Sequence, residues 1–385
     1  MRLMPQSHFN RRERLAAYRA RDGDPFDEYQ SPTGTEIADL GVYPLREPVS
    51  RRQYTVLRLT TKSGLSGYGE CLHISAADLD HATRIVLGMP CAAFEVARYK
   101  LQHLPGAQAA VNMALLDILG KSVHAPVFQI LGGPTRFKAR VMAHLEGDSE
   151  DQLLANLTRA RDRGFRAFVI PLPLLMERES ARDLIYTTRR LLERLRAVGG
   201  EDADFVLGGT GDLPFDATLA LARGVEGLDV LWLDEPCDHA QFVNCHDTTV
   251  TLVGFGKTMH RSSDFLSLLR DEAVDVIRPD IGLNGIVQIR RIAALAETDY
   301  VAVAPQHQGG PISTAAALHL AGSLPNFFIQ EIPYCETEAD LKMRAELVET
   351  SVETVEDGFA RIPTGDGLGI TVNEAALEKY RESSV

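Results

Sequence analysis

The segment VDVIRPDIGLNGIVQIRRIAALAETDYVAVAPQHQGGPISTAAALHLAGSLPNFFIQE, Val274–Glu331, repeats one arrangement three times: a short apolar run, a polar residue, then a helix-length stretch. Asp280 follows Val274–Ile277, His307 follows Val301–Ala304, and Glu331 follows Phe327–Ile329. Each polar group is expected just past the C-terminal end of a buried strand, one helix away from the next. That is where a (β/α)8 barrel keeps its chemistry.

Upstream, the same rhythm continues back to Gly132-Gly133-Pro134. Strands are expected over Arg140–His144, Phe165–Pro171, Phe205–Leu207, Val230–Leu233 and Leu252–Phe255. Helices are expected over Ser149–Arg163, Arg178–Val198, Pro214–Val225, Ser262–Arg270, Gly285–Glu297 and Pro311–Leu324. Nearly continuous apolar strands alternating with helices imply a parallel sheet covered on its faces. Eight such strands in about 200 residues favour closure into a barrel, and no GxGxxG opens a nucleotide site. The positions equivalent to Asp280 on the earlier strands read Val169, Gly208, Asp234 and Lys257.

Before the barrel, Ile37–Pro44, Tyr54–Thr61 and Gly67–Leu72 read as an antiparallel meander, and Ala107–Lys121 carries apolar residues at helical spacing. The division expected is an N-terminal arm or lid over 1–35, with disorder as the alternative, and an α+β capping domain over 36–133. The barrel follows over 134–350, and a segment over 351–385 returns to the cap. Of the 385 residues, 45% are hydrophobic and 24% charged, as in an ordinary water-soluble globule. The net charge of −13 argues against nucleic acid or an anionic membrane as partner. No apolar run approaches the ~18 residues that span a bilayer, and Met1–Asn10 has no signal-peptide core. Five cysteines without a CxxC suit buried thiols in a reducing cytoplasm. Cys237, His239, Cys245 and His246 cluster in one loop, but their spacing is not a usual zinc pattern.

Several motifs, in order and at consistent intervals, carry a family likeness. They are Gly67-Tyr68-Gly69-Glu70; Ala114–Gly120 with Pro126–Gly133; Asp234-Glu235-Pro236; Val274–Asp280 with Asn284-Gly285-Ile286; and Gly367-Leu368-Gly369-Ile370, where Asp366 stands in place of a proline. Over residues 36–385 the chain resembles the enolase superfamily, in its mandelate racemase/muconate lactonizing enzyme branch. The resemblance implies a modified (β/α)7β barrel, a homo-oligomer, and abstraction of a proton α to a carboxylate, with Mg²⁺ stabilising the enediolate. It also implies three acidic metal ligands on the third, fourth and fifth strands, which here read Gly208, Asp234 and Lys257. The second-strand Lys-x-Lys of the family reads Val169-Ile170-Pro171. Asp280 and His307 match the family's Asp–His pair, with His307 as general base, and Glu331 matches a glutamate that binds the substrate carboxylate.

Glycine offers no ligand and an ammonium repels a dication, so no metal is expected at the usual site. Lys257 is expected to occupy the vacated space, pair with Asp234 and meet the substrate carboxylate; a solvated surface lysine and a Schiff-base lysine are the alternatives. Arg278 shares strand parity with Asp280, which allows it either the same cavity or a packing role. Three functions fit these residues. The first is a metal-free dehydratase or isomerase of a small hydroxy acid or sugar acid, using His307, Asp280, Glu331 and Lys257. The second is a non-catalytic carboxylate-binding barrel. The third retains Mg²⁺ through substitutes such as Asp212 and Asp234.

Overall fold

The computed structural model describes residues 34–172, 180–209, 213–238, 240, 249–272 and 274–382. Strands β1 (Ile37–Arg46), β2 (Gln53–Thr61) and β3 (Ser66–Cys71) form the antiparallel meander, with Leu40 opposite Leu59 and Thr55 opposite Cys71. Helix Pro105–Ser122, buried on almost every side, lies across this sheet. Its approach explains the two glycines of Gly67-Tyr68-Gly69-Glu70. A Cβ on Gly69 would stand 1.8 Å from the Ala110 carbonyl, and one on Gly67 2.4 Å from that of Ala114. Only residues without a side chain let the two backbones meet. Helices Ala76–Val86 and Phe94–Lys100 complete the cap. The sequence reading had no element there, because their buried faces rest mainly on small residues such as Ala82 and Ala97.

The parallel sheet runs in chain order through β4 (Lys138–His144), β5 (Ala167–Pro171), β6 (Asp204–Gly208), β7 (Val230–Asp234), β8 (Val253–Phe255), β9 (Val276–Ile277) and β10 (Ala302–Val303). Strand β11 (Gln330–Ile332) pairs in parallel with β4, and a bridge from Val303 to Phe327 joins it to β10. The sheet therefore closes into a barrel of eight strands, capped by the N-terminal α+β domain. Met142, Val169, Val206, Trp232, Val276, Ala304 and Ile329 form a separate apolar cluster, which fills the barrel interior. The outward-facing residues of the same strands, such as Phe168, Phe205 and Ile277, join the larger core beneath the helices.

The last three strands differ from the sequence reading, and Val301–Ala304 pairs only over Ala302–Val303. The run Val274–Ile277 pairs only over its last two residues. The expected strand Phe327–Ile329 contributes a single bridge, and the ladder lies at Gln330–Ile332. Glu331 is therefore inside the last strand and not beyond it. Apolarity hid this, because Gln330 and Glu331 are buried polar residues with internal partners.

After the barrel, β12 (Val355–Glu356) and β13 (Phe359–Arg361) form a hairpin on the edge of β4. The chain then crosses to the cap. Leu368 N–H donates to Asp117 Oδ1 at 2.8 Å, and Arg381 bridges Leu45 of β1. No described helix is long and apolar enough to cross a membrane. Cys71, Cys91, Cys237 and Cys335 are free and buried. Cys245, His239, His246, Asp212 and the arm up to residue 33 lie outside the described residues.

Candidate active site at the barrel mouth

Side chains along a strand alternate between its two faces. Stepping two residues past the interior residues Met142, Val206, Trp232, Val276 and Ile329 therefore reaches His144, Gly208, Asp234, Arg278 and Glu331 at the barrel's C-terminal end. Four of these five are polar, and together with Lys257 they form one charge network.

Asp234 is its centre. Its Oδ1 accepts from Arg278 Nε at 2.9 Å and from Trp232 Nε1 at 3.1 Å. Its Oδ2 lies 2.5 Å from Lys257 Nζ and accepts from a terminal nitrogen of Arg278 at 3.3 Å. Arg278 is fully buried over the Trp232 ring, 5.4 Å from its centroid. It also donates to the Ala304 carbonyl and, through a short contact, to Glu331 Oε2. Glu331 Oε1 lies 3.3 Å from His144 Nδ1, with the Gln308 amide at 3.5 Å. Two cations and two carboxylates thus neutralise one another. Burial alone would raise the Asp234 and Glu331 carboxyls, but Arg278 and Lys257 override it and hold both below the usual carboxylate range. Burial would likewise strip the Lys257 proton, yet Asp234 and Glu331 hold its pKa above that of an ordinary lysine. That favours the charged Lys257 ammonium, as the ion pair with Asp234 does. Its loop is anchored by Glu235, whose Oε1 accepts from the Gly256 and Lys257 N–H groups at 2.6 and 2.9 Å.

The pair expected between Asp280 and His307 does not form. Asp280 caps helix Ile281–Thr298, with Oδ1 accepting from Leu283 N–H at 3.0 Å, while its Oδ2 accepts from the side-chain amide of Gln306. Gln306, not His307, is paired with Asp280 by the β-bridge between the two segments, so the neighbour His307 turns elsewhere. His307 is buried, with Nε2 3.3 Å from Thr314 Oγ1 and no hydrogen bond to Nδ1. Burial, reinforced by the nearby Arg344 guanidinium, lowers its pKa to about 3 and keeps the imidazole neutral. Burial also raises the Asp280 carboxyl to about 7. Lys257, Arg278 and Glu331 meet in one charge network with Asp234. Asp280 is bonded to Leu283 and Gln306, and neither His144 nor Gln306 was among the residues expected from the sequence. Strand parity from Met142 was the signal for His144.

His307 belongs instead to a second buried network, between barrel and cap. Arg344 Nη1 lies 2.6 Å from Glu47 of the cap and donates to the Gly309 carbonyl at 3.0 Å; its other nitrogens reach Glu353. Glu70, which closes the Gly67–Glu70 motif, accepts from Gly310 N–H at the start of helix Pro311–Ala321. Its full burial raises its pKa to about 7.

The comparisons with known proteins agree with this architecture. A model of the mandelate racemase/muconate lactonizing enzyme N-terminal domain matches residues 44–132, and one described as enolase C-terminal domain-like matches residues 152–376. The chain belongs to the enolase superfamily. Within it, the N-terminal match assigns the chain to the mandelate racemase/muconate lactonizing enzyme branch.

Among its relatives, a D-galactonate dehydratase of Xanthomonas campestris pv. campestris is 27% identical, with 86% of this chain and 92% of the relative covered. A D-xylonate dehydratase of Haloferax volcanii is 27% identical over 71% of this chain and 69% of the relative. A solved mandelate racemase/muconate lactonizing enzyme from Sulfitobacter sp. superimposes with a TM-score of 0.80 at 26% identity, covering 91% and 96% of the two chains. The 3,6-anhydro-D-galactonate cycloisomerase of Zobellia galactanivorans has the same fold, with a TM-score of 0.80 at 24% identity over 90% of this chain and all of the other. The chain thus stands among enzymes of lyase and isomerase type.

Members of this superfamily normally use Mg²⁺, and the donor set here does not fit that ion. Gly208 has no ligand, and a Cβ there would already press on Val169 at 2.9 Å. The lone pairs of Asp234 are engaged by three internal donors. The third position is an ammonium. Mg²⁺ requires near-octahedral oxygen ligands, which this triad cannot supply.

Proposed function

We propose that the chain binds a small hydroxy acid or sugar acid by its carboxylate at the barrel mouth and removes the proton α to that carboxylate, with Lys257 in place of the divalent ion. The observation that carries this reading is the Lys257–Asp234 contact of 2.5 Å, which fixes a permanent cation at the end of the fifth barrel strand with a fifth of its side chain open. Abstraction of an α-proton builds charge on the carboxylate, and a preorganised cation facing that charge lowers the barrier without a metal. Arg278 adds to the positive potential from below, although all its partners are internal. The D-galactonate and D-xylonate dehydratases among the relatives support an aldonate as the substrate class. Loss of water from C2–C3 of such an acid needs one base and no external oxidant.

The test is incubation of the full chain with D-galactonate or D-xylonate in metal-free buffer containing EDTA, with the 2-keto-3-deoxy acid followed by NMR. Turnover that survives EDTA and falls at least about 100-fold in Lys257→Met is expected. Turnover only with added Mg²⁺ would contradict the reading.

A second reading, a carboxylate-binding barrel without chemistry, is favoured by one observation: the separation of Asp280 from His307 dismantles the family's base. Under it, an aldonate would raise the melting temperature without any product forming.

A further inference from the structure

We propose that His144 and Glu331 form the proton-transfer unit of this site, with His144 as the catalytic residue and Glu331 as its positioning residue. The inference rests on the metal-free reading above and supplies the base that reading lacks.

The other candidates are engaged. Both Asp280 oxygens serve as acceptors within the protein, the side chain is 1% exposed, and it caps a helix. His307 is sealed beside Thr314 and Arg344. Glu331 is taken by Arg278 and held deeply acidic by Lys257 and Arg278, which makes it a poor base. Lys257 is held protonated by Asp234.

His144 differs from all four. It ends β4, the strand that pairs directly with β11, so that Ala143 lies opposite Ile332 and places His144 beside Glu331. Its Nδ1 is buried 3.3 Å from Glu331 Oε1, within ion-pair reach but outside hydrogen-bond geometry, and 32% of the side chain is exposed. A small ring rotation would bring Nδ1–H onto that carboxylate, and Nε2 would then carry the lone pair. The ring also leans over the missing metal ligand: a Cβ on Gly208 would lie 4.0 Å from His144 Cε1. A glycine on the third strand therefore removes a ligand next to the imidazole, and the tight neighbour of any Cβ there is Val169, at 2.9 Å.

The step balances with one base. The Nε2 lone pair takes the C2 proton of the aldonate, and the C–H electrons form the enediolate, whose charge faces Lys257. The imidazolium returns that proton to the C3 hydroxyl, which leaves as water while the C2–C3 double bond forms. The enol then ketonises to the 2-keto-3-deoxy acid. Glu331 stabilises the imidazolium between these events without itself taking a proton.

The test compares wild type, His144→Gln and His144→Ala, each as full chain with D-galactonate and D-xylonate. Both variants should lose kcat at least about 100-fold, while the aldonate-induced rise in melting temperature and KM stay unchanged. Added imidazole should restore part of the rate in His144→Ala only, because the removed ring leaves a space that a purely structural residue would not need filled by a base. Wild-type turnover retained by His144→Ala overturns the dyad alone. A loss in both variants accompanied by lost aldonate binding and no imidazole rescue also overturns it. Wild type that binds an aldonate without turnover overturns the dyad and favours the non-catalytic reading. Wild type that neither binds nor converts an aldonate overturns the parent reading, and the dyad with it.

Discussion

The two buried arginines, Arg278 and Arg344, sit in networks of the same composition and opposite purpose. Each network holds two cations and two carboxylates: Arg278 and Lys257 with Asp234 and Glu331, and Arg344 and Arg52 with Glu47 and Glu353. The Arg344 network joins elements 297 positions apart, a cap turn and a barrel helix, and behaves as a fastening. The Arg278 network holds Asp234 and Lys257, two of the positions that the family resemblance marks for metal ligands, and Lys257 remains partly open. Internal charge pairs can hold a fold or prepare a site. Exposure does not separate the two uses, since Glu353 is 18% and Lys257 20% open. The difference lies in position, between barrel and cap for one and at the strand ends of the barrel mouth for the other.

Removing each arginine breaks this comparison at its strongest point. Arg344→Met leaves Glu353 and Glu47 buried, with only Arg52 at 3.3 Å to compensate Glu47. It should destabilise the fold by about 3–5 kcal/mol in chemical denaturation. Arg278→Met should cost less, about 1–3 kcal/mol, because Lys257 still faces both Asp234 and Glu331. Equal losses would mean that Lys257 does not share the Arg278 charge load.

A smaller effect distinguishes the networks by pH. A carboxyl whose pKa rises on folding binds its proton more tightly in the folded state, so its stability contribution is full below the unfolded value and is lost as pH rises. For Glu70 that window runs from about 4.5 to about 7. Wild type should therefore lose more melting temperature than Glu70→Gln between pH 5 and pH 8. His307, lowered to about 3, acts in the opposite sense: below pH 6.5 the unfolded chain takes up the proton first, and stability falls with acidification. Parallel wild-type and Glu70→Gln curves would show that Glu70 is not buried as described.

The barrel was legible from the sequence because each strand carried its own apolar run between helices, and the cap because its strands alternate. The site was legible only in part. Asp234, Lys257 and Arg278 sit at or just past strand ends, where counting from the apolar run finds them, while Glu331 lies inside its strand. The choice between Gln306 and His307 was not, since one step along an extended segment reverses which neighbour faces Asp280, and the run Val301–Ala304 does not fix that phase. His144 reads as the last residue of the strand Arg140–His144, and only its parity with the interior residue Met142 marks it as facing inward. The pairing of Arg344 with Glu47 has no local signature at all.

The central claim is that an internal cation has replaced the metal. Equilibrium dialysis of the full chain against millimolar Mg²⁺, beside the Gly208→Asp/Lys257→Glu double variant, tests it most directly. The account predicts no stoichiometric magnesium in wild type, and measurable binding in the variant, whose three carboxylates restore the ligand set. One equivalent of Mg²⁺ held by wild type, raising its melting temperature as a site-bound ion must, would contradict it.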